Sequence, residues 1–292
     1  MLNIMFAGNY KVFDGMLIAS LSILKHTDEP ISCYVLTMER TQDNPNFIAI
    51  NNAQIDYLQN LYSKRNKDSK VIKVDVGDLY DKYLGSSPNK TSSYTPYAFL
   101  RLLSDKISVL PDKILYLDTD VVAYHDISEL YNKDISNYEV AMVKDYYGKV
   151  FINRNYCNSG VVLMNLAKIR ETGMLGRALE YCATNESLFP DQTALHKTIK
   201  SKLILPSKYN EQHKIHPDTV IRHFSMSLKF FPVFKKQNIK PWHVDKVHKI
   251  LKCHEFDDIL EEYLSRKEEI DALISLPLEQ AKTTINQTKK EA

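Results

Sequence analysis

No apolar run in the 292-residue sequence approaches the roughly 18 residues that a membrane-spanning helix requires, so no span is expected. Cysteine is sparse and unpaired in pattern: Cys33, Cys157, Cys182 and Cys253 stand far apart, with no CxxC pair and no disulfide-like spacing. The opening Met1-Leu2-Asn3-Ile4-Met5-Phe6-Ala7-Gly8 lacks the positive segment and the apolar length of a secretory signal. These absences lead to the expectation of a reducing, cytoplasmic setting. Net charge is nearly absent as well, at +2, so no nucleic acid is expected among the partners. Fixed-period repeats and low-complexity segments are missing too. What remains, 44% apolar and 25% charged residues, is an ordinary globular composition able to bury one large core or two modest ones.

The small net charge conceals an uneven distribution. Lys197 to Lys252 holds thirteen Lys and Arg against three acids, whereas Glu255 to Ala292 holds ten acids against five bases. Phe224, Phe230, Phe231, Phe234 and Trp242 interleave the basic stretch. A solvated face is one reading of it, and a surface that meets phosphates, of a ligand or of an anionic membrane, is the other.

Hydrophobic periodicity predicts alternating strands and helices. Ile4 to Ala7 is a buried strand closed by Gly8-Asn9, and Met16 to Lys25 has helical spacing at Leu17, Leu21 and Leu24. Ile31 to Leu36 and Val71 to Val74 are further strands, with a helix predicted over Phe47 to Leu61. Ser86 to Ser93 is a polar loop, Tyr97 to Ile107 a helix, and Lys113 to Leu117 the strongest strand. The last forty residues predict surface helices ending in a frayed polar tail. Such alternation implies an α/β fold with a mostly parallel sheet.

The most informative segment is Ile114-Leu115-Tyr116-Leu117-Asp118-Thr119-Asp120-Val121-Val122. A buried strand running into two carboxylates delivers them to the carboxyl edge of the sheet, where open α/β folds place ligands. Side chains two apart on an extended chain point the same way, roughly 6.5 to 7 Å apart. Carboxylates aimed at one place repel unless something positive lies between them, and Mg²⁺ or Mn²⁺ takes oxygen ligands while carrying substrate phosphates. The plain alternative is that Asp118 and Asp120 end a strand and cap a turn. A rival enzymatic reading is the haloacid dehalogenase-like phosphatases, in which the first Asp of such a motif is the nucleophile. Their motif normally follows the first strand and needs a later acidic pair after an apolar strand, whereas Asp257-Asp258 follows His254-Glu255-Phe256.

Three further segments carry polar groups beside apolar runs. Asn158-Ser159-Gly160 reads as a turn feeding the strand Val161 to Leu166. Phe189-Pro190-Asp191-Gln192 reads as a turn before a helix, with Asp191 as its N-cap. Val220 to Phe224 delivers His223, an imidazole able to complete a Mn²⁺ site with two carboxylates, and Ile239-Lys240-Pro241-Trp242 follows with a lysine able to neutralise phosphate.

In this order the segments resemble the family 8 glycosyltransferases, the group that includes glycogenin and the bacterial lipopolysaccharide galactosyltransferases. The resemblance runs from Ile4 to about Trp242. It rests on Phe6-Ala7-Gly8-Asn9-Tyr10, Phe99-Leu100-Arg101-Leu102, Leu115 to Asp120, Asn158-Ser159-Gly160-Val161, Asp191-Gln192, His223-Phe224 and Lys240-Pro241-Trp242. Met226 departs from it, standing where the family commonly has a glycine after the histidine.

The resemblance implies a GT-A fold with a Rossmann-like sheet. The nucleotide-sugar half would span about 1–125 and the acceptor half about 126–245, followed by a helical tail over 246–292. It implies Asp118, Asp120 and His223 as ligands of Mn²⁺ or Mg²⁺, with Thr119 lying between the aspartates at the donor. Lys240 would meet the diphosphate of a UDP-sugar, Arg101 would steady the donor, and Ala7, Asn9 and Tyr10 would receive uracil and ribose. Asp145, Asn158, Ser159, Asp191 and Gln192 fall where the sugars lie, with Asp145, Asp191 and Gln192 nearest the chemistry. The implied activity is a retaining transfer of glucose or galactose to a glycan, glycolipid or glycoprotein, by double displacement or by same-face attack. A sugar-nucleotide-binding protein without catalysis is the non-enzymatic alternative. Lys229, Lys235 and Lys236 beside Phe230, Phe231 and Phe234 suit a weak contact with anionic lipid at the inner face of a membrane.

Overall fold

The computed structural model describes all residues except 92–94, 230–232, 234 and 277–292. In chain order its elements are β1 (Leu2–Ala7), α1 (Phe13–His26), β2 (Ile31–Thr37), α2 (Asn52–Arg65), β3 (Lys70–Asp75), α3 (Gly77–Leu84), β4 (Lys113–Leu117), β5 (Val121–Ala123), α4 (Ser128–Tyr131), β6 (Val140–Lys144) and α5 (Gly148–Phe151). They continue with β7 (Cys157–Asn165), α6 (Leu166–Thr172), α7 (Met174–Thr184), α8 (Pro190–Thr198), β8 (Lys202–Leu205), β9 (Ile221–His223), β10 (Ser227–Lys229), β11 (Lys235–Gln237), α9 (Val244–Lys246) and α10 (Asp257–Ser265).

The central sheet has the order β3-β2-β1-β4-β7-β6-β8. Its pairings are parallel except those of β7, which runs antiparallel to both β4 and β6. Strands buried on both faces need apolar residues at every position, which is why β1, β2 and β4 read as continuous runs. Alternate side chains then feed two separate cores. Ile4, Phe6, Leu115 and Leu117 pack with α1 and α2, whereas Met5, Ile114 and Tyr116 pack with α3, α7 and the helix before β4. The edge strands β3 and β8 carry Lys70, Lys73 and Lys202, charges that discourage pairing with another chain.

Four local expectations need correction. The helix predicted over Phe47 to Leu61 starts only at Asn52, because the N–H groups of Ala49 and Ile50 are taken by Glu39 and Thr37 side chains. Asn51 and Gln54 then close a reciprocal capping box, which fixes the start of α2. The segment Pro96–Lys106 is helical but of 3₁₀ type, tighter than the α-helix its pattern suggests. Asn158, Ser159 and Gly160 are not a turn; they follow Cys157 within β7, between the pairs Lys144↔Cys157 and Leu117↔Val161. Asp191 is not an N-cap either, since Phe189 holds that position and Asp191 lies in the first turn of α8.

Within the C-terminal region, α10 buries Ile259, Leu260 and Tyr263 in the core shared with α1, and the Tyr263 hydroxyl donates to Asp14 at 2.6 Å. Residues 267–276 are helical and bring Ile270 into the same core. The frayed tail expected beyond them lies outside the described residues, as do Phe230, Phe231 and Phe234 of the basic stretch and Ser92-Ser93 of the polar loop. No helix among the described residues is long and apolar enough to cross a membrane.

Candidate active site

The carboxyl ends of β1 and β4 lie side by side, and β7 enters the sheet there from the opposite direction. Asp118 follows Leu117 directly, and its N–H donates to the Gly160 carbonyl at 2.7 Å. Tyr116, two residues back and therefore on the same side, donates its hydroxyl to Asp118 Oδ1 at 2.7 Å. Arg101, from the 3₁₀ segment, lies over the Tyr116 ring at 4.2 Å and donates from Nη2 to the same carboxylate oxygen at 2.9 Å. Its Nη1 donates to the Ser159 carbonyl, and its Nε lies 3.5 Å from Asp191 Oδ2. Burial opposes the guanidinium charge, but Asp118, Tyr116 and Asp191 hold it firmly protonated. Arg101 is thus a fixed positive charge beneath the edge.

Asp120 is set by a second, smaller sheet. β5 pairs antiparallel with β9, placing Val121 opposite His223, and the Phe224 N–H donates to the Asp120 carbonyl at 2.9 Å. His223 Nε2 lies 3.1 Å from Asp120 Oδ1 and 3.7 Å from Asp118 Oδ2. On the other side of the ring, Nδ1 is 3.0 Å from Asn158 Oδ1. That oxygen also accepts from the Gly160 N–H at 2.9 Å and from Asn210 Nδ2 at 3.0 Å, so the amide orientation is fixed. Nδ1 therefore carries a proton, and Nε2 is turned to the two aspartates, where it can donate to Asp120 or, once deprotonated, ligate a cation. The two carboxylates and the imidazole thus converge on one small volume. The donor set fits a divalent cation: one ligand atom from each of Asp118, Asp120 and His223 lies within 4.8 Å of the others.

Two features tighten this group. A Cβ on Gly160 would stand 2.2 Å from His223 Cε1 and 2.9 Å from Asp118 Oδ2, so only glycine leaves room for the ring. Lys240 Nζ donates to Asp120 Oδ2 and, at 3.1 Å, to the Phe224 carbonyl. Burial alone would raise the Asp120 pKa, but Lys240 and His223 overcome it and hold the carboxyl below the usual carboxylate range.

A polar cluster adjoins this edge. Asp145 Oδ1 accepts from the Tyr147 and Gly148 N–H groups, at 3.1 and 2.6 Å. Its Oδ2 accepts from Asn158 Nδ2 at 2.9 Å and Gln192 Nε2 at 3.3 Å. Gln192 Oε1 accepts from the Ser159 N–H at 3.1 Å. The buried Asp191 accepts from Ser159 Oγ at 3.2 Å; its pKa is raised by burial, against the pull of Arg101. The structure thus brings Arg101, Asp118, Asp120, Asp145, Asn158, Ser159, Asp191, Gln192, His223 and Lys240 into one connected network.

The N-terminal candidates stand slightly apart. Continuing the register Met5↔Tyr116 brings Ala7 level with Asp118. Asn9 spends its side chain locally, donating to the Asn46 carbonyl at 3.2 Å and accepting from the Lys11 N–H at 3.3 Å. Tyr10 is buried, and its hydroxyl has no hydrogen-bond partner among the described residues. The backbone of Thr119 packs closely on α1: a Cβ on Gly15 would lie 2.4 Å from the Thr119 carbonyl oxygen and 2.4 Å from the Trp242 ring. Sequence reasoning missed Tyr116, Asn210, Gln212 and the steric role of Gly160. Only Tyr116 left a signal, by its i−2 spacing from Asp118. Gln212 accepts from the Tyr146 N–H at 2.9 Å and helps line a cleft of about 420 Å³, where Tyr146 stacks on His213 at 4.6 Å.

An open, mostly parallel sheet with one antiparallel strand beside an Asp-Thr-Asp edge is the architecture of the GT-A fold. The chain belongs to glycosyl transferase family 8, whose model matches residues 3–246. Among solved structures, the galactosyltransferase LgtC in complex with donor and acceptor sugar analogs superposes with a TM-score of 0.63 at 18% identity, covering 90% of this chain and 96% of that one. The bifunctional glycosyltransferase WbbM gives a TM-score of 0.66 at 15% identity, over 93% of this chain and 51% of that one. These two likenesses show the fold. Among curated relatives, a Haemophilus influenzae protein named as a glycosyltransferase is 26% identical over 69% of this chain and 60% of its own length. The lipopolysaccharide 1,2-glucosyltransferase of Escherichia coli is 32% identical over 36% of this chain and 35% of its own. The chain thus spans less than two thirds of the length of either curated relative.

Proposed function

We propose that the protein is a retaining hexosyltransferase that moves glucose or galactose from a UDP-sugar to a glycan, glycolipid or glycoprotein acceptor, with Mn²⁺ or Mg²⁺ held by Asp118, Asp120 and His223. The observation that carries this reading is the His223 ring, fixed by Asn158 so that its Nε2 faces two carboxylates at the end of β4. A galactosyltransferase and a glucosyltransferase among the similar proteins favour a hexose.

When bound, the cation supplies Lewis-acid neutralisation of the charge that gathers on the departing diphosphate. The protein's own residues do the rest. Arg101 and Tyr116 hold Asp118 in place, and Lys240, drawn off Asp120, reaches a phosphate oxygen as a compact positive charge. Ala7, level with Asp118, together with Asn9 and Tyr10 just beyond β1, would form the side on which the nucleoside is received. Asp145, Asn158, Ser159 and Gln192 hydrogen-bond the transferred sugar, and the cleft lined by Tyr146, Gln212 and His213 takes the acceptor. Same-face attack is the favoured route to retention. Asp145 already accepts from two backbone and two side-chain donors, and Asp191 is buried against Arg101, so neither offers a free nucleophilic oxygen.

The phosphatase alternative finds no support in the geometry. Asp257 sits with His248 and His254, and Asp258 pairs with Lys25, so this acidic pair is away from Asp118. A panel of UDP-sugars assayed for Mn²⁺-dependent UDP release tests the proposal; turnover of simple phosphomonoesters, or UDP-sugar hydrolysis indifferent to chelation, overturns it. A cytoplasmic location with weak contact to anionic lipid belongs to the same proposal. Its basis is the charge of the Lys197 to Lys252 stretch, and salt-sensitive sedimentation with anionic vesicles tests it.

A further inference from the structure

A second convergence of ligand-type side chains lies between the strap that carries Lys240 and the start of α10. His248 Nε2 is 2.7 Å from Asp257 Oδ1, and His254 Nδ1 is 3.0 Å from Asp257 Oδ2. The two imidazoles stack at 4.6 Å with their planes 19° apart, so each ring directs one nitrogen to the same carboxylate. One ligand atom from each residue lies within 4.8 Å of the others.

The backbone is bent to achieve this. His248 stands on the π-helical turn Val247–Leu251, a wide winding that tends to occur at functional positions. The turn ends at Lys252, whose φ of 55° makes it the one non-glycine residue with positive φ among those described. A lysine there costs roughly 1–2 kcal/mol relative to an ordinary conformation. The left-handed residue reverses the chain so that His254 returns over His248, six positions after it, and the Cys253 N–H closes the loop on the Val247 carbonyl at 3.3 Å. Strain that persists is held by its surroundings, and here it serves to superpose two imidazoles on one carboxylate.

We propose that His248, His254 and Asp257 form a binding site for a divalent transition metal of the Zn²⁺ class, separate from the Asp118-Asp120-His223 group. Two imidazoles and a carboxylate are a ligand set that Zn²⁺ accepts, with water in the fourth position. Exposure favours loading from solvent: the His254 side chain is 59% accessible and those of His248 and Asp257 are 31% and 37%. The ion would fasten the π-turn to the first turn of α10, and through it the segment that begins at Lys240, whose carbonyl accepts from His243 and whose next link is Val247 N–H to the His243 carbonyl. The role is structural and does not depend on the activity proposed above.

The test uses tag-free, chelator-stripped full-length protein titrated with Zn²⁺ by calorimetry. The Asp118→Asn/Asp120→Asn double variant removes the cluster at the sheet edge. It is expected to retain one equivalent of Zn²⁺ and to gain thermal stability on binding it. Adding His254→Ala to that background weakens this uptake at least tenfold, and Asp257→Asn, which preserves side-chain shape, does the same. Either result requires unchanged circular dichroism, which the exposure of His254 favours. A double variant that takes up no Zn²⁺, or one whose uptake is indifferent to both further substitutions, overturns the proposal.

Discussion

The two three-residue groups that could hold a cation differ most in what surrounds them. Asp118 and Asp120 meet His223 from more than a hundred residues earlier in the chain, and the three rest on a supporting layer of Arg101, Tyr116, Asn158 and Gly160. His248, His254 and Asp257 lie within ten residues and are arranged by one π-turn and one left-handed lysine. The first group is imposed by the fold, because the β4 ladder, the β5–β9 pair and β7 must all be in register before the three side chains meet. The second is built by local chain geometry. A site that serves chemistry needs the former kind of support, since its ligands must keep their positions while charge develops nearby.

Substitutions should separate the groups, and the largest effect belongs to the aspartates. Asp118→Asn or Asp120→Asn removes a ligand charge and is expected to lower metal-dependent UDP release by on the order of 10²-fold or more, as several kcal/mol of leaving-group stabilisation disappears. Circular dichroism should stay unchanged, because both residues lie at the end of a strand whose ladder they do not complete. Full activity in either variant would remove the distinction drawn here. Gly160→Ala comes next: the new methyl must displace His223 or Asp118, and a rate loss of about 10- to 100-fold is expected without any ligand being deleted. Steady-state kinetics across a Mn²⁺ titration reads it, and a wild-type profile would show that the ring is free to move.

Asn210→Ala probes the layer behind. Asn210 steadies the Asn158 amide that orients His223, so apparent Mn²⁺ affinity should fall about tenfold, the lower end for such outer partners. The acid limb of stability gives a smaller signal. Asp120 has a folded pKa held below its unfolded value, so its contribution is fully present above about pH 4 and is lost as the pH falls. In chelator, Asp120→Asn should therefore flatten the decline of Tm below that pH, by roughly 2–4 °C for each kcal/mol the charge contributes. An unchanged slope would mean that Lys240 and His223 do not stabilise the carboxylate. The smallest effect is reserved for the surface group: His254→Ala should leave UDP release within about twofold of wild type, since ordinary surface changes stay within about 0.5 kcal/mol.

The contrast also explains what could be read in advance. The central strands were legible because burial on both faces demands continuous apolar runs, and Asp118 and Asp120 stood out by ending the strongest of them. His223 was legible only through its place in a sequence of motifs, since nothing in Val220 to Phe224 says which strand it pairs with. The start of α2 was misjudged because tertiary bonds from Glu39 and Thr37 capture N–H groups that a helix would use. Asn158 to Gly160 read as a turn because small polar residues favour turns, while the antiparallel entry of β7 draws them into the sheet. Asn210 and Gln212 carry no local pattern; their significance arises only when the chain after β8 runs alongside β9, Glu211 bridging to Arg222. The histidine pair near α10 left no trace, because its convergence depends on one backbone angle at Lys252.

The ammonium of Lys240 has a consequence for the order of events. While it rests on Asp120 it acts as an internal counter-ion, so the folded chain tolerates its buried carboxylates without help from solution. On the function proposed above, a cation at Asp120 would compete with that ammonium, and the displaced charge would then be available to a diphosphate. Each partner would thereby prepare the place of the other, and reciprocity would require the metal to tighten nucleotide binding by the same factor as the nucleotide tightens the metal. The lysine would make the two a single cooperative load, taken up and let go together.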